Sequence, residues 1–183
     1  MRVIAGSARR IELKSLPGND TRPTLDRYKE TLFNTIQSYV PDSLFIDVFA
    51  GTGSIGIEAL SRGAKSAIFI ENNRRAVKVI NENLEKTHLT DKAYVLTADA
   101  VTGLMQSEKH GRADVIYIDP PYNMGLEEVT LRFLRDSALC DEDTLIICEV
   151  SNDTTFDYLS DLGFMIVKTK DYRTNRHVFI TRA

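Results

Sequence analysis

Cysteine is scarce in this chain. Its two residues, Cys140 and Cys148, do not make a disulfide framework, and no Cys or His cluster has zinc-ligand spacing. Cys148 lies inside the apolar run Leu145-Ile146-Ile147-Cys148 and reads as a core residue. No metal is expected. A hydrophobic run of membrane-spanning length is also absent, and the start, Met1-Arg2-Val3-Ile4-Ala5-Gly6, has no signal-peptide pattern. No membrane partner is therefore expected, and the reducing cytoplasm is the expected compartment. Internal repeats and low-complexity segments are missing too. So is a large excess of positive charge: 23 Lys and Arg against 26 Asp and Glu leave a formal net charge of -3. That balance argues against general affinity for nucleic acid.

The distribution of charge says more than the sum. Residues 2 to 14 carry Arg2, Arg9, Arg10 and Lys14 against Glu12, and the tail carries Lys168, Lys170, Arg173, Arg176 and Arg182 against Asp171. Residues 141 to 164 hold Asp141, Glu142, Asp143, Glu149, Asp153, Asp157 and Asp161 and no Lys or Arg. Any one of these charges reads as solvated surface. Two basic ends converging on one face would suit a polyanion.

At 183 residues the chain is most simply one domain with a small appendage. Residues 2 to 5 and 10 to 14 read as two short strands around Gly6-Ser7-Ala8-Arg9, a hairpin that sets residues 1–22 apart from a main domain over 23–183. Arg22-Pro23-Thr24 leads into a helix that Thr24 can cap. Its inner face is Leu25, Tyr28, Leu32, Phe33 and Ile36, and Pro41 closes it. From Leu44 strands alternate with helices: 44–48, 67–70, 93–96, 115–118 and 144–150 are the strands. Helices follow Ser54, Asn73, Asp99 and Gly125. Such β-α units imply an α/β fold with a mostly parallel sheet covered on both faces. The strands at 164–168 and 177–181, joined by a short polar loop, suit an antiparallel hairpin.

Two motifs carry chemistry. The buried run Val115-Ile116-Tyr117-Ile118 meets Asp119-Pro120-Pro121-Tyr122, where two prolines cannot continue a sheet ladder. A carboxylate, backbone carbonyls and an aromatic ring are thereby held at the carboxyl end of a strand, where open α/β sheets bind ligands. An acceptor-rich corner beside a stacking ring suits a flat substrate bearing an amino group. Upstream, Asp47-Val48-Phe49-Ala50-Gly51-Thr52-Gly53-Ser54-Ile55-Gly56 matches the dinucleotide fingerprint, with Glu71 placed to bind a ribose. Taken alone, this motif describes a nicotinamide or flavin enzyme. Asp47 tilts the reading away, because a pyrophosphate repels a carboxylate there and a sulfonium with an ammonium group attracts one. Acids at four strand ends, Asp47, Glu71, Asp99 and Asp119, suit a cationic cofactor with ribose hydroxyls and an adenine amine, as in S-adenosylmethionine. Each of the four by itself could be a helix cap.

With Asp47 to Gly53 followed by Asp119 to Tyr122, the chain resembles class I S-adenosylmethionine-dependent methyltransferases acting on exocyclic amines of nucleobases. Arg2-Val3-Ile4-Ala5-Gly6, Arg22-Pro23-Thr24, Glu30-Thr31-Leu32-Phe33-Asn34 and Gly56-Ile57-Glu58-Ala59-Leu60-Ser61-Arg62-Gly63-Ala64 look like the RsmD family. That family methylates N2 of one guanine in 16S ribosomal RNA of the bacterial small subunit. The resemblance implies a Rossmann-like seven-stranded sheet, mostly parallel with an antiparallel last strand, plus a small N-terminal β-hairpin. It implies S-adenosyl-L-methionine as cofactor, with Asp47, Gly51 and Gly53 on the methionine part, Glu71 on the ribose, and Asp99 with Ala100 on the adenine. Phe49 and Asn72 would join the cofactor contacts. Asp119, Pro120 and Tyr122 would hold the target base, while Arg9, Arg10, Arg22 and Thr24 would face RNA. The expected partner is 16S ribosomal RNA within the small subunit, and the expected state is a monomer. Near the end, Tyr172-Arg173-Thr174 stands where the family has a Tyr-Gly-Thr-like turn. Adenine-N6 or cytosine-N4 methylation of RNA or DNA, a nicotinamide oxidoreductase and a non-catalytic RNA-binding module are the competing readings.

Overall fold

The computed structural model describes residues 1–16 and 23–183, with side chains described from residue 26 in the second segment. Seven strands form one sheet: β1 (Leu44–Val48), β2 (Ser66–Glu71), β3 (Ala93–Thr97), β4 (Val115–Ile118), β5 (Leu145–Ser151), β6 (Phe164–Asp171) and β7 (Asn175–Arg182). Their spatial order is β3-β2-β1-β4-β5-β7-β6. β1 to β5 pair in parallel, whereas β7 lies antiparallel between β5 and β6. The order reverses between β1 and β4, where Val48 is in register with Ile118. Both sequence motifs leave the sheet at that switch point.

The central strands β1 and β4 are buried along their whole length because both faces are covered, with Asp47 as their one charged residue. On one face Phe45, Ala67, Phe69, Val115 and Tyr117 pack with α1 (Pro23–Thr35), α2 (Ser54–Ser61) and α3 (Arg74–Thr87). On the other, Ile46, Val48, Ile68, Ile70, Ile116 and Ile118 pack with α4 (Ala100–Ser107), α5 (Leu126–Arg135) and the segment around Leu159. Successive side chains of a strand point to opposite faces, so each strand feeds both cores. Helix and sheet approach closely at Gly56, where an added Cβ would lie 2.3 Å from the Phe69 ring.

Three local expectations are corrected. The N-terminal hairpin has one antiparallel bridge, Arg2 with Glu12, in place of two regular strands. Val3, Arg10 and Leu13 still donate across it, to Ile11, Val3 and Met1 carbonyls at 2.9 Å each. The ladder goes no further because the Ile4 and Ala5 N–H groups turn to the Glu58 carboxylate, at 2.8 and 3.1 Å. Val3, Ala8 and Leu13 are buried in the main core, so this ribbon is packed into the fold. The first helix already contains Thr24, which therefore lies in its first turn and not ahead of it. That helix also stops at Thr35, well before Pro41; the Tyr39 N–H bonds the Ile36 carbonyl in a turn that lets Ile36 and Val40 both reach the core.

Candidate active site

Two connected openings lie over the carboxyl ends of β1, β2 and β4. A cavity of about 150 Å³ is lined by Phe49, Glu71, Asn72, Asp99 and Ala100 with apolar walls from Ile70, Val101 and Val129. A wider one of about 520 Å³ shares Phe49, Glu71 and Asn72 and extends over Asp119, Pro120, Pro121 and Tyr122. Eight of the residues singled out in the sequence thus share one cleft. Asp47, Gly51 and Gly53 are not part of its lining; they lie beneath and beside it, in the turn that shapes it.

Each carboxylate has its own local task. Asp47 is buried, and its Oδ2 accepts the Gly56 N–H at 2.9 Å in the first turns of α2. Burial raises its pKa to about 7; the Gly56 bond opposes the shift and the charge of Glu71 adds to it. Glu71 receives the Gly51 and Asn73 N–H groups, one on each oxygen at 2.8 Å, and so ties the glycine turn to the end of β2. Asp99 caps α4 by accepting the Thr102 N–H at 3.0 Å, which holds its carboxyl below the ordinary range. Asp119 makes no side-chain hydrogen bond among the described residues. Burial at the cleft floor, with the charges of Glu149 and Asp47, pushes its pKa well above that of an ordinary carboxylate. An acid under this strain gains from any donor that enters the cleft.

The glycine turn is built for close approach. Gly51 and Gly53 have positive φ of 55° and 76°, conformations that favour glycine. A Cβ placed on Gly51 would meet nothing within 4 Å, so the backbone there is open to a ligand. Phe49 also has positive φ, at 66°, and contributes to the walls of both openings.

The sequence reading missed three polar anchors. Glu149, at the end of β5, accepts from Tyr117, Tyr122, Asn175 and His177. Asn83 on α3 is fully buried; it accepts the Lys14 N–H at 2.7 Å and donates to the Lys14 and Thr52 carbonyls, clamping the N-terminal segment to the glycine turn. Glu58 on α2 is fully buried with Lys29 and Arg62 as charged partners. An acidic or amide residue inside an apolar pattern was the available signal.

On the ribbon, Arg2, Arg9 and Arg10 are exposed, and with Arg27, Asp26 and Glu30 they border a surface cavity of about 460 Å³. Arg22 lies outside the described residues, and so does the Thr24 side chain. The C-terminal basic segment also comes to α1: the Tyr172 ring packs on Tyr28 with centroids 4.6 Å apart.

The family model described as "Conserved hypothetical protein 95" matches residues 1–181. The chain is 35% identical over 154 residues to the Ribosomal RNA small subunit methyltransferase D of Haemophilus influenzae, covering 84% of this chain and 80% of that protein. With the protein of the same name from Escherichia coli it is 36% identical over 151 residues, covering 81% and 74%. Among solved structures, Escherichia coli yhhF superposes with a TM-score of 0.84 at 32% identity, covering 100% of this chain and 97% of that one. A precorrin methyltransferase from Geobacter metallireducens, 18% identical with a TM-score of 0.66, shares the fold. With a model match over nearly its whole length and relatives above 30% identity, the chain belongs to the RsmD family of class I methyltransferases.

Proposed function

We propose that the protein transfers a methyl group from S-adenosylmethionine to the N2 amine of a guanine in 16S ribosomal RNA. The observation that carries the reading is the Asp119 carboxylate, which has no side-chain hydrogen bond among the described residues and is held beside Pro120 and the 45% exposed Tyr122 in the cleft shared with Glu71 and Asp99. The smaller cavity, apolar in its walls and with Asp99 at its edge, is of a size for an adenine, with the ribose at Glu71 where the wider opening begins, and the open face of Gly51 leaves room for the amino-acid part. Glu71 would take ribose hydroxyls, Asp99 and Ala100 would meet the adenine, and Phe49 and Asn72 would wall the site. Asp47 would act from beneath the turn, as a negative charge facing the ammonium group. The cofactor supplies an electrophilic methyl group on a sulfonium.

The guanine amine is a weak nucleophile because its lone pair is delocalised into the ring. The Asp119 carboxylate and the Pro120 carbonyl accept its two N–H groups, which localises the lone pair and stabilises the positive charge that develops. Alignment matters as much, since displacement at carbon needs amine, methyl and sulfur in line. Tyr122 stacks on the extruded base, an interaction worth about 1–3 kcal/mol. With the methyl–sulfur bond broken and the sulfur leaving as a neutral thioether, the proton of the methylated amine would pass to Asp119 or to solvent. Residues 1–22 form the RNA-facing extension of the 23–183 domain, with Arg9, Arg10, Arg22 and Thr24 on phosphates and sugars, and the protein acts on the small subunit as a monomer.

The test is methyl transfer from labelled S-adenosylmethionine to small subunits from cells lacking the gene, followed by nucleoside analysis. Label in N2-methylguanosine is expected, with Asp119→Ala losing turnover at least a hundredfold and cofactor affinity staying within a few-fold. Label in methyladenosine or methylcytidine would keep the chemistry and overturn the base.

A further inference from the structure

Glu149 gathers more side-chain hydrogen bonds than Asp47, Glu71, Asp99 or Asp119. Its Oε2 accepts from the Tyr117 phenol at 2.5 Å and from His177 Nε2 at 3.0 Å; its Oε1 accepts from Asn175 Nδ2 at 2.5 Å and from the Tyr122 phenol at 3.3 Å. A carboxylate has about four lone-pair sites, and here all are taken. Three of the donors, Tyr117, Asn175 and His177, are buried and fixed by the sheet. The fourth belongs to the exposed ring of the Asp119-to-Tyr122 turn and is the longest bond of the set. Beyond His177 the chain of contacts continues: the Tyr172 phenol lies 3.1 Å from Nδ1, which fits donation by Tyr172 to His177 and by His177 to Glu149. Asn152 Nδ2 donates to the Tyr172 and Arg173 carbonyls. The loop that departs from the family pattern is therefore joined to the base-binding turn through one carboxylate.

A core that needed only filling would place apolar side chains here, because a half-buried carboxylate costs desolvation. The hydrogen bonds hold Glu149 in its charged form against that cost: burial opposes the charge, and the bonds from His177, Tyr117 and Asn175 outweigh it. What this arrangement secures is the orientation of the exposed Tyr122 ring, whose phenol bonds the same carboxylate. A tyrosine at a turn after two prolines, nearly half exposed, would otherwise sample several rotamers. The 3.3 Å bond leaves room to tighten when a base arrives, as catalytic hydrogen bonds commonly do.

We propose that Glu149 is a positioning residue for methyl transfer: through the Tyr122 phenol it fixes the ring on which the target base stacks, and through Asn175 and His177 it makes residues 172–175 part of the same wall. The proposal rests on the reading of Asp119 to Tyr122 as the base-binding motif. A double-mutant cycle tests it. Tyr122→Phe keeps the ring and loses the tether; it lowers kcat/KM for the RNA about tenfold, with cofactor affinity unchanged. Glu149→Gln does the same or more, and the double variant loses no more than Glu149→Gln alone. Additive losses, or equal losses in cofactor affinity, would overturn the proposal.

Glu149→Asp, which draws the carboxylate back by one methylene, replaces Glu149→Gln if the latter does not fold. A readout without any methyl acceptor separates the two readings. The fluorine resonance of 3-fluorotyrosine at position 122 moves toward the solvent-exposed value when Glu149 is replaced. A resonance that stays put removes Glu149 as the holder of the ring, whatever the substrate. A wild-type protein that methylates no ribosomal RNA overturns the functional reading on which the proposal stands.

Discussion

Asp47 keeps an acidic group where water is excluded. With its carboxyl at about 7 instead of the ordinary 3.8, the folded state binds a proton that the unfolded chain releases at lower pH. Stability from this group is therefore full below about pH 4 and is lost as pH rises through 7, by at most on the order of 4 kcal/mol. Asp47→Asn retains an oxygen for the Gly56 N–H and removes the charge. It should match the wild type in denaturant melts near pH 4 and exceed it by a few kcal/mol at pH 8, while binding S-adenosylmethionine more weakly. A pH-independent difference would mean that Asp47 is charged in the fold throughout. Such a carboxylate is expected at a binding site, where stability is given up for an interaction that only the ligand completes. Its place at the end of β1 could be read from the sequence. Its burial could not, because burial depends on what α2 lays over it.

At the level of elements, α2 links the glycine turn to the N-terminal ribbon. Its buried Glu58 accepts Ile4 and Ala5 N–H groups and the Arg62 guanidinium at 2.7 Å, with the Lys29 ammonium 3.4 Å away. Burial lowers the Lys29 pKa and Glu58 works against that. Glu58→Gln leaves a buried ammonium without its counter-charge, a change that typically costs about 3–5 kcal/mol. Hydrogen exchange at Ile4 and Ala5 should rise with it, whereas exchange in β1 should follow only the global loss. Equal acceleration in both places would mean that the ribbon has no stability of its own to lose. The strands and the long helices were legible from periodicity, as in α3, where of the inward face expected from spacing, Ala76, Val77, Ile80 and Leu84, all but the half-buried Val77 are buried. The ribbon was legible only in outline. Its chain reversal follows from Gly6, but its missing ladder follows from a carboxylate more than fifty residues away.

Over the whole molecule the charge is divided rather than large. The ribbon arginines border one cavity with Arg27, and Tyr172 on Tyr28 brings the basic C-terminal segment to the same helix. A net negative protein can in this way offer a local basic face to a polyanion. If Arg10 holds a phosphate, Arg10→Ala weakens RNA binding and lowers the slope of log affinity against log salt by about 0.7. Binding titrations from low to moderate salt check this. A slope equal to that of the wild type would take Arg10 out of the interface. Sequence preference should not change, because phosphate contacts position the RNA without reading it.

The sequence alone determined the alternation of strands and helices, the antiparallel end of the sheet and the two motifs at strand ends, since all of these rest on local patterns of two, three or four residues. It also placed Asp119 and Tyr122 together, because they are neighbours in the chain. Only the tertiary structure decided that Glu71 clasps the glycine turn, that Asp119 stands without a side-chain partner among the described residues, and that Glu149, Asn175 and His177 stand behind Tyr122. Those contacts join residues 20 to 30 positions apart across parallel and antiparallel pairings. The physical reason is that a strand pattern fixes which face a side chain takes, while its polar partner is fixed by strand order and register, which no local pattern contains.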